Sequence, residues 1–473
     1  MRIPLACRFC FAAFWSVAFL ATGALADDPV YFRHDHGLAA DDRQTLPEEL
    51  EPSAAVWRQE LPPGHSTPTI VGDQIYLTAH EGNELLTICL SRKTGDELWR
   101  HGVTVEELEK THNEGSPAAA SVAADEERVF AFFGSYGLLC YDRDGQPLWR
   151  KEMGPFRDEF GSASSPVLAD GKVYMSEDHD LDSFVISIDQ RDGKTVWETP
   201  RPGFTRSYAT PVLWNVGDRT QLVVAGSLQL MGYDPGTGDP LWTVDGFARI
   251  VNTTPVVAGD MLYVATWSPG GDTDARIGME PWDTALSMWD GDNDGLLQKA
   301  ELPAGPVQTR FFRIDLNSNQ ELDQAEWEKY ARVFELAQNT LVALQADPAG
   351  GKPETVWEYN RGLPYVASPL VYRDMIFLVK DGGIVTALEA ADGKLVKQAR
   401  AKGQGSYYAS PVAGDGKVFV CSSRGAVTVF RAGPKLEILS SHDFGERIFA
   451  TPVITEDGRI FLRTDAALYC FSL

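Results

Sequence analysis

Ser165-Pro166-Val167-Leu168-Ala169-Asp170-Gly171-Lys172-Val173-Tyr174 decides the fold. It reads as a hydroxyl residue and a proline, a short aliphatic strand, an Asp-Gly turn that needs a positive φ, and the start of a second strand. The Ser/Thr-Pro pair recurs as Thr67-Pro68, Ser116-Pro117, Thr210-Pro211, Thr254-Pro255, Ser368-Pro369, Ser410-Pro411 and Thr451-Pro452. Successive prolines stand 49, 49, 45, 44, 114, 42 and 41 residues apart. Six of these intervals have the length of one four-stranded propeller blade, and the 114-residue interval must hold an insertion.

Each period closes with a Gly turn and a tryptophan strand, as in Thr94-Gly95-Asp96-Glu97-Leu98-Trp99 and Thr237-Gly238-Asp239-Pro240-Leu241-Trp242. These outer strands are marked by Trp57, Trp99, Trp149, Trp197, Trp242 and Trp357, with degenerate copies around Lys397 and Leu439. The first, Ala54 to Leu61, precedes the first Ser/Thr-Pro motif, while the last repeat ends without one. Pairing the two ends completes an eighth blade and removes open sheet edges. The expected fold is all-β, an eight-bladed β-propeller over residues 54–473.

Residues 1–26 read as a signal peptide: Arg2 and Arg8, an uncharged apolar run from Phe9 to Gly23, then Ala24-Leu25-Ala26. A periplasmic or secreted location is expected, with no stable membrane insertion after cleavage. Losing two arginines and no acid takes the formal charge from −25 to −27, which would repel nucleic acid. Residues 27–53, acidic and without period, read as a flexible arm, with His34 and His36 in a solvated tail. Cys89, Cys140, Cys421 and Cys470 fall inside expected strands and read as buried free thiols.

The quoted stretch and Thr237 to Trp242 resemble the pyrroloquinoline-quinone (PQQ) repeat family. Its eight-bladed propellers include the quinoprotein alcohol dehydrogenases and the propeller lipoprotein of the outer-membrane β-barrel assembly machinery. The resemblance runs from about Trp57 to Leu473, insertion excepted, and it implies a fold and not an activity. The dehydrogenase branch carries an adjacent cysteine pair over its cofactor, and this sequence has no Cys-Cys. Nor does any stretch match that branch's calcium-holding Glu and Asn or its Asp base. The resemblance therefore favours the non-catalytic branch, without PQQ: a ligand-binding or protein-assembly scaffold. The alternative is a hydrolase or quinoprotein-like oxidoreductase with its site at the propeller channel mouth.

The insertion, residues 275–339, carries the sharpest chemical motif. Asp290-Gly291-Asp292-Asn293-Asp294-Gly295-Leu296-Leu297-Gln298-Lys299-Ala300-Glu301 fits a twelve-residue EF-hand loop. Asp290, Asp292, Asp294 and Glu301 would be side-chain ligands, Leu296 a carbonyl ligand, and Gln298 a direct or water-mediated one. Hard Ca²⁺ asks for such an all-oxygen set. A second loop runs from Asp315 to Glu326, with Asp315, Asn317, Asn319, Glu321, Asp323 and Glu326 at ligand positions. Gln320 stands there in place of the turn glycine, so this second site is expected to be weaker or metal-free.

Strand alternation puts the insertion on the face where blades connect to one another. The same face receives Arg206, Arg249, Arg447 and His65, with Tyr208, Tyr365, Tyr407 and Phe449 nearby. Guanidinium groups among aromatics suit an anionic small molecule, an acidic glycan or a protein partner; alternatively each arginine pairs with a local acid. The acidic loop from Glu177 to Asp182 is a further candidate cation site.

Overall fold

The computed structural model describes residues 30–34, 40, 42–157, 159–272 and 276–473. The expected signal peptide and His36 lie outside these residues. Eight four-stranded antiparallel sheets follow one another around a channel. Blade 3 shows the pattern, with strand A at Val167–Ala169, B at Lys172–Glu177, C at Phe184–Asp189 and D at Thr195–Pro200. Blade 8 takes A to C from Val453–Ile454, Ile460–Arg463 and Ala467–Phe471, and its D strand is Trp57–Glu60 from the other end of the chain. Trp57 lies opposite Cys470 and Glu60 opposite Ala467, so the ring closes as the sequence requires.

A ring of hydrogen bonds links the blades at the inner edge. The backbone N–H of Thr67 donates to Ser121 Oγ, Ser121 to Ser165, Ser165 to Thr210 and Thr210 to Thr254. Thr254 then donates to Ser368, Ser368 to Ser410, Ser410 to Thr451, and Thr451 back to Thr67. This is why each repeat opens on a hydroxyl residue. It also corrects one register: in blade 2 the ring residue is Ser121, not Ser116. Strand A must begin two residues after the ring hydroxyl, and in blade 2 it begins at Ala123. Ser116 instead accepts from the N–H of Ala118 in the preceding loop.

At the outer edge the D-strand tryptophans of all blades that have one, except blade 4, lock onto the next blade. Trp57 lies against Gly95, Trp99 against Gly145, Trp149 against Gly193 and Trp357 against Gly393, so close that a Cβ on those glycines would sit within 3 Å of the ring. The glycines also hold positive φ, 80° at Gly95 and 69° at Gly393, so the turn and the packing both exclude a side chain. The indole N–H of Trp99 donates to Arg143 O and that of Trp149 to Gln190 O, each at 2.9 Å. Just before the tryptophan position the D strand slips register in blades 1 to 7. Such a bulge twists the exposed edge away from further pairing. Cys89, Cys140, Cys421 and Cys470, the cysteines among the described residues, are buried and free, and burial pushes the thiols of Cys89, Cys140 and Cys421 up to about 12.

The described part of the arm is not a loose tail. Leu46 and Leu50 are buried against blades 7 and 8, and Lys417 Nζ donates to Leu46 O at 3.0 Å. Asp42 accepts from Tyr372 and from Arg373. Tyr31 is buried among blade 2 and blade 3 residues, and His34 rests edge-on against it. The segment crosses the channel: Val30 O accepts from Ala124 of blade 2, while Arg33 reaches Pro369 O of blade 6. The acidic composition concealed a few well-spaced apolar side chains, each worth about 1.5–3 kcal/mol when buried.

Candidate functional site

The insertion leaves blade 5 between strand B, Met261–Thr266, and strand C, Thr340–Gln345. It contains α1 (Trp282–Trp289), α2 (Pro306–Thr309), α3 (Phe311–Ile314) and α4 (Gln324–Leu336). Two short helices, broken at Arg310, precede the second loop. Trp282, Phe311, Ile314, Trp327, Tyr330 and Phe334 form the core of this small unit. Asp323 and Glu326 make a reciprocal capping box at the start of α4.

The two loops share one hydrogen-bond scheme. At the second position, Gly291 and Leu316 each donate to the closing glutamate, Glu301 or Glu326. At the sixth, Gly295 and Gln320 donate to the opening aspartate, Asp290 or Asp315, both at 3.1 Å. At the ninth, Gln298 and Asp323 donate back to the same glutamates. Leu297 pairs with Leu322 in a short ladder that joins the loops. Gln320 adopts φ 72° beside 84° at Gly295, so it holds the glycine conformation at a cost of about 1 kcal/mol.

Oxygens of Asp290, Asp292 and Asp294 lie within 4.8 Å of one another. Burial and the neighbouring Asp294, Glu301 and Asp290 raise the pKa of Asp292. Among the described residues, Oδ1 of Asp290 and Oδ1 of Asp315 are buried with no hydrogen-bond partner. These are the opening positions of both loops, where a cation would take the missing contact.

The insertion is docked on the blade-connection face. Leu228, in the B–C turn of blade 4, belongs to the insertion's apolar core. Gln338 N–H donates to Phe247 O, and Arg157 Nη1 donates to Leu316 O at 3.2 Å. An ionic chain continues the contact: Asp180 holds Arg206 with both oxygens, Arg206 reaches Glu159 at 3.0 Å, and Glu159 faces Arg313 of α3 at 3.5 Å. Burial works against the charge on Arg206, but Asp180 more than offsets it, so the guanidinium pKa is raised. Glu159, Arg157 and Arg313 carry no motif. Their roles rest on contacts more than 150 residues apart in the chain, which local patterning does not encode.

The expected ring of Arg206, Arg249, Arg447 and His65 separates into different environments. Arg206 is neutralised as described. Asp178 is likewise held by Arg201 at 2.7 and 2.9 Å, so arginines take up two of the acids of the loop from Glu177 to Asp182. Arg249 is buried, donates through Nε to Pro269 O, and has no carboxylate on it among the described residues. Burial lowers its pKa, and Arg313 and Arg206 add to the effect. Arg447 lies over the ring of Phe449 at 4.5 Å, and Phe449 stacks on His65 at 4.1 Å. Burial pulls His65 down to about 3, helped by Arg463 and Arg447, so the imidazole is neutral although part of the ring faces a cavity.

That cavity, of about 180 Å³, is the propeller channel. All eight hydroxyl residues of the inter-blade ring line it, with Phe160, Tyr208, Tyr365, Tyr408 and Phe449 among its other walls. Phe32 of the arm also lines it. Glu114 reaches across from the blade 1–2 connection and accepts from the Tyr408 hydroxyl.

The sequence matches the family described as outer membrane protein assembly factor BamB over residues 14–180, 181–292 and 329–473. The chain belongs to this family. Residues 293–328, which the family match omits, fall inside the insertion, so the BamB family pattern does not account for most of the loop pair. The crystal structure of BamB from Moraxella catarrhalis is similar, with a TM-score of 0.54, 14% identity, and coverage of 88% of this chain and 98% of that one. The computationally designed Ika8 protein gives 0.52 at 9% identity, covering 89% and 100%. A europium-containing methanol dehydrogenase gives 0.46 at 10% identity, covering 91% and 96%. No curated protein matches. No helix among the described residues is long and apolar enough to cross a membrane.

Proposed function

We propose that this BamB-family propeller is a calcium-binding scaffold for protein assembly, exported to the periplasm or beyond, whose EF-hand pair orders one side of the channel-mouth face. The observation that carries the reading is the pair of buried, partnerless carboxylate oxygens on Asp290 and Asp315. They open two loops with the same hydrogen-bond scheme, in a unit docked through Arg157 and Arg313. Calcium binding at the second loop would fix Leu316 and α3, and through them the contacts to Arg157 and Glu159. A partner protein would then meet a rigid mouth face. Calorimetry with hydrogen exchange tests this: Ca²⁺ should protect residues 276–338 and also the connection around Arg157 to Arg206. Protection confined to the insertion would leave an independent calcium unit, and no heat with Ca²⁺ would remove the calcium reading altogether.

A further inference from the structure

The eight ring residues raise a question that their structural role leaves open. Each side-chain oxygen accepts one backbone N–H from the neighbouring blade. A hydroxyl has one proton to donate as well. Among the described residues, none of these eight protons has an acceptor in the protein, although every one of the side chains is at least nine-tenths buried. All eight line the same cavity. The channel is therefore girdled by O–H donors whose lone pairs are already engaged and whose protons must find acceptors inside it.

Two further observations give those acceptors a sign. Arg249 is 6% exposed and, among the described residues, carries no carboxylate; with Arg313 it acts electrostatically on Tyr365, against Glu159 and Glu114, and Tyr365 lines the cavity. Glu114, the only carboxylate among the lining residues, already accepts from Tyr408. The walls above the ring are aromatic, and Phe32 lies among the lining residues as part of the segment that crosses the channel. Converging O–H dipoles, and a guanidinium with no carboxylate on it among the described residues, favour a negative group, and the aromatic rings favour an apolar body beside it.

We propose that the channel binds one compact carboxylate, its oxygens accepting protons from an arc of the hydroxyl ring and its apolar body lying among Phe160, Tyr208, Tyr365, Tyr408 and Phe449. The site is built by the A strands and their connections, so it stands or falls separately from the calcium reading.

The probe is 4-fluorobenzoate, followed by fluorine NMR on the full chain, with 4-fluorobenzyl alcohol as the neutral counterpart. Saturable binding of the carboxylate is expected in the millimolar range or tighter, with the alcohol weaker by at least about tenfold. Ala163→Phe fills the channel without removing a hydrogen bond and should abolish binding. Thr254→Val should weaken binding about tenfold, the loss of one hydrogen bond to a charged group, and Thr254→Ser should restore it. A melting curve separates weakened binding from unfolding in the valine variant, and Ala163→Phe supplies the second reading if that variant does not fold. No saturable binding, equal binding of acid and alcohol, or binding unchanged by Ala163→Phe would overturn the proposal and leave a water-filled channel.

Discussion

His65 shows how one side chain ties stability to pH. Its folded pKa, about 3, lies below the 6.5 of a free imidazole, so the unfolded chain takes up a proton that the folded chain refuses. Stability from this group is intact above about 6.5 and declines as pH falls toward 3, by about 1.4 kcal/mol per unit. His65→Gln should flatten the pH dependence of urea midpoints between pH 6 and 4 by about one proton; an unchanged slope would place the proton uptake elsewhere. Gln320 offers the complementary case of local strain. Gln320→Gly should stabilise the second loop by about 1 kcal/mol and tighten its calcium binding in calorimetry. Glu301→Gln should remove the stronger of the two binding events and Glu326→Gln the weaker, because the first loop presents three aspartates where the second has one aspartate and two asparagines.

Among the strands, the inter-blade ring separates two serines that look alike in sequence. Ser121→Ala would strand the buried N–H of Thr67 and should cost about 1–3 kcal/mol in chemical denaturation. Ser116→Ala removes a hydrogen bond within one loop and should cost about 0.5–1.5 kcal/mol. Equal losses would undo the register assigned to blade 2. The bulged D strands belong to the same level: the tryptophan of one blade can reach the glycine turn of the next because the strand slips one residue before it. Blade 4 departs from this lock. Its Trp242 donates to Gln221 of its own blade, and Trp214 reaches Gly259 O of blade 5 instead.

Closure of the whole ring depends on Trp57–Glu60 pairing with the final strand. Deleting residues through Leu61 should open blade 8 and lead to aggregation, seen by light scattering. Deleting residues 27–50 keeps that strand but loses the buried Leu46, Leu50 and Tyr31, so a stable, soluble monomer with a lowered melting temperature is expected. An unchanged melting temperature would mean that the arm's packing contributes nothing.

Repeat spacing, the two orphaned ends and the spacing of Asp290 to Glu301 were each determined by the sequence alone, because propeller blades and twelve-residue acidic loops are local patterns with fixed spacing. The hydroxyl before each strand was legible too, although in blade 2 the proline after Ser116 pointed to the wrong serine. Only the tertiary structure decided which charges remain free. Arg206 and Arg249 stand four and five residues before their ring threonines, Thr210 and Thr254, yet one meets Asp180 and Glu159 while the other meets a carbonyl and two more arginines. Neither outcome is written in a neighbouring residue. Ionic partners are chosen by whatever the fold brings within a few ångströms, and here those groups come from other loops of the mouth face and from the insertion, 20 or more residues away in the chain.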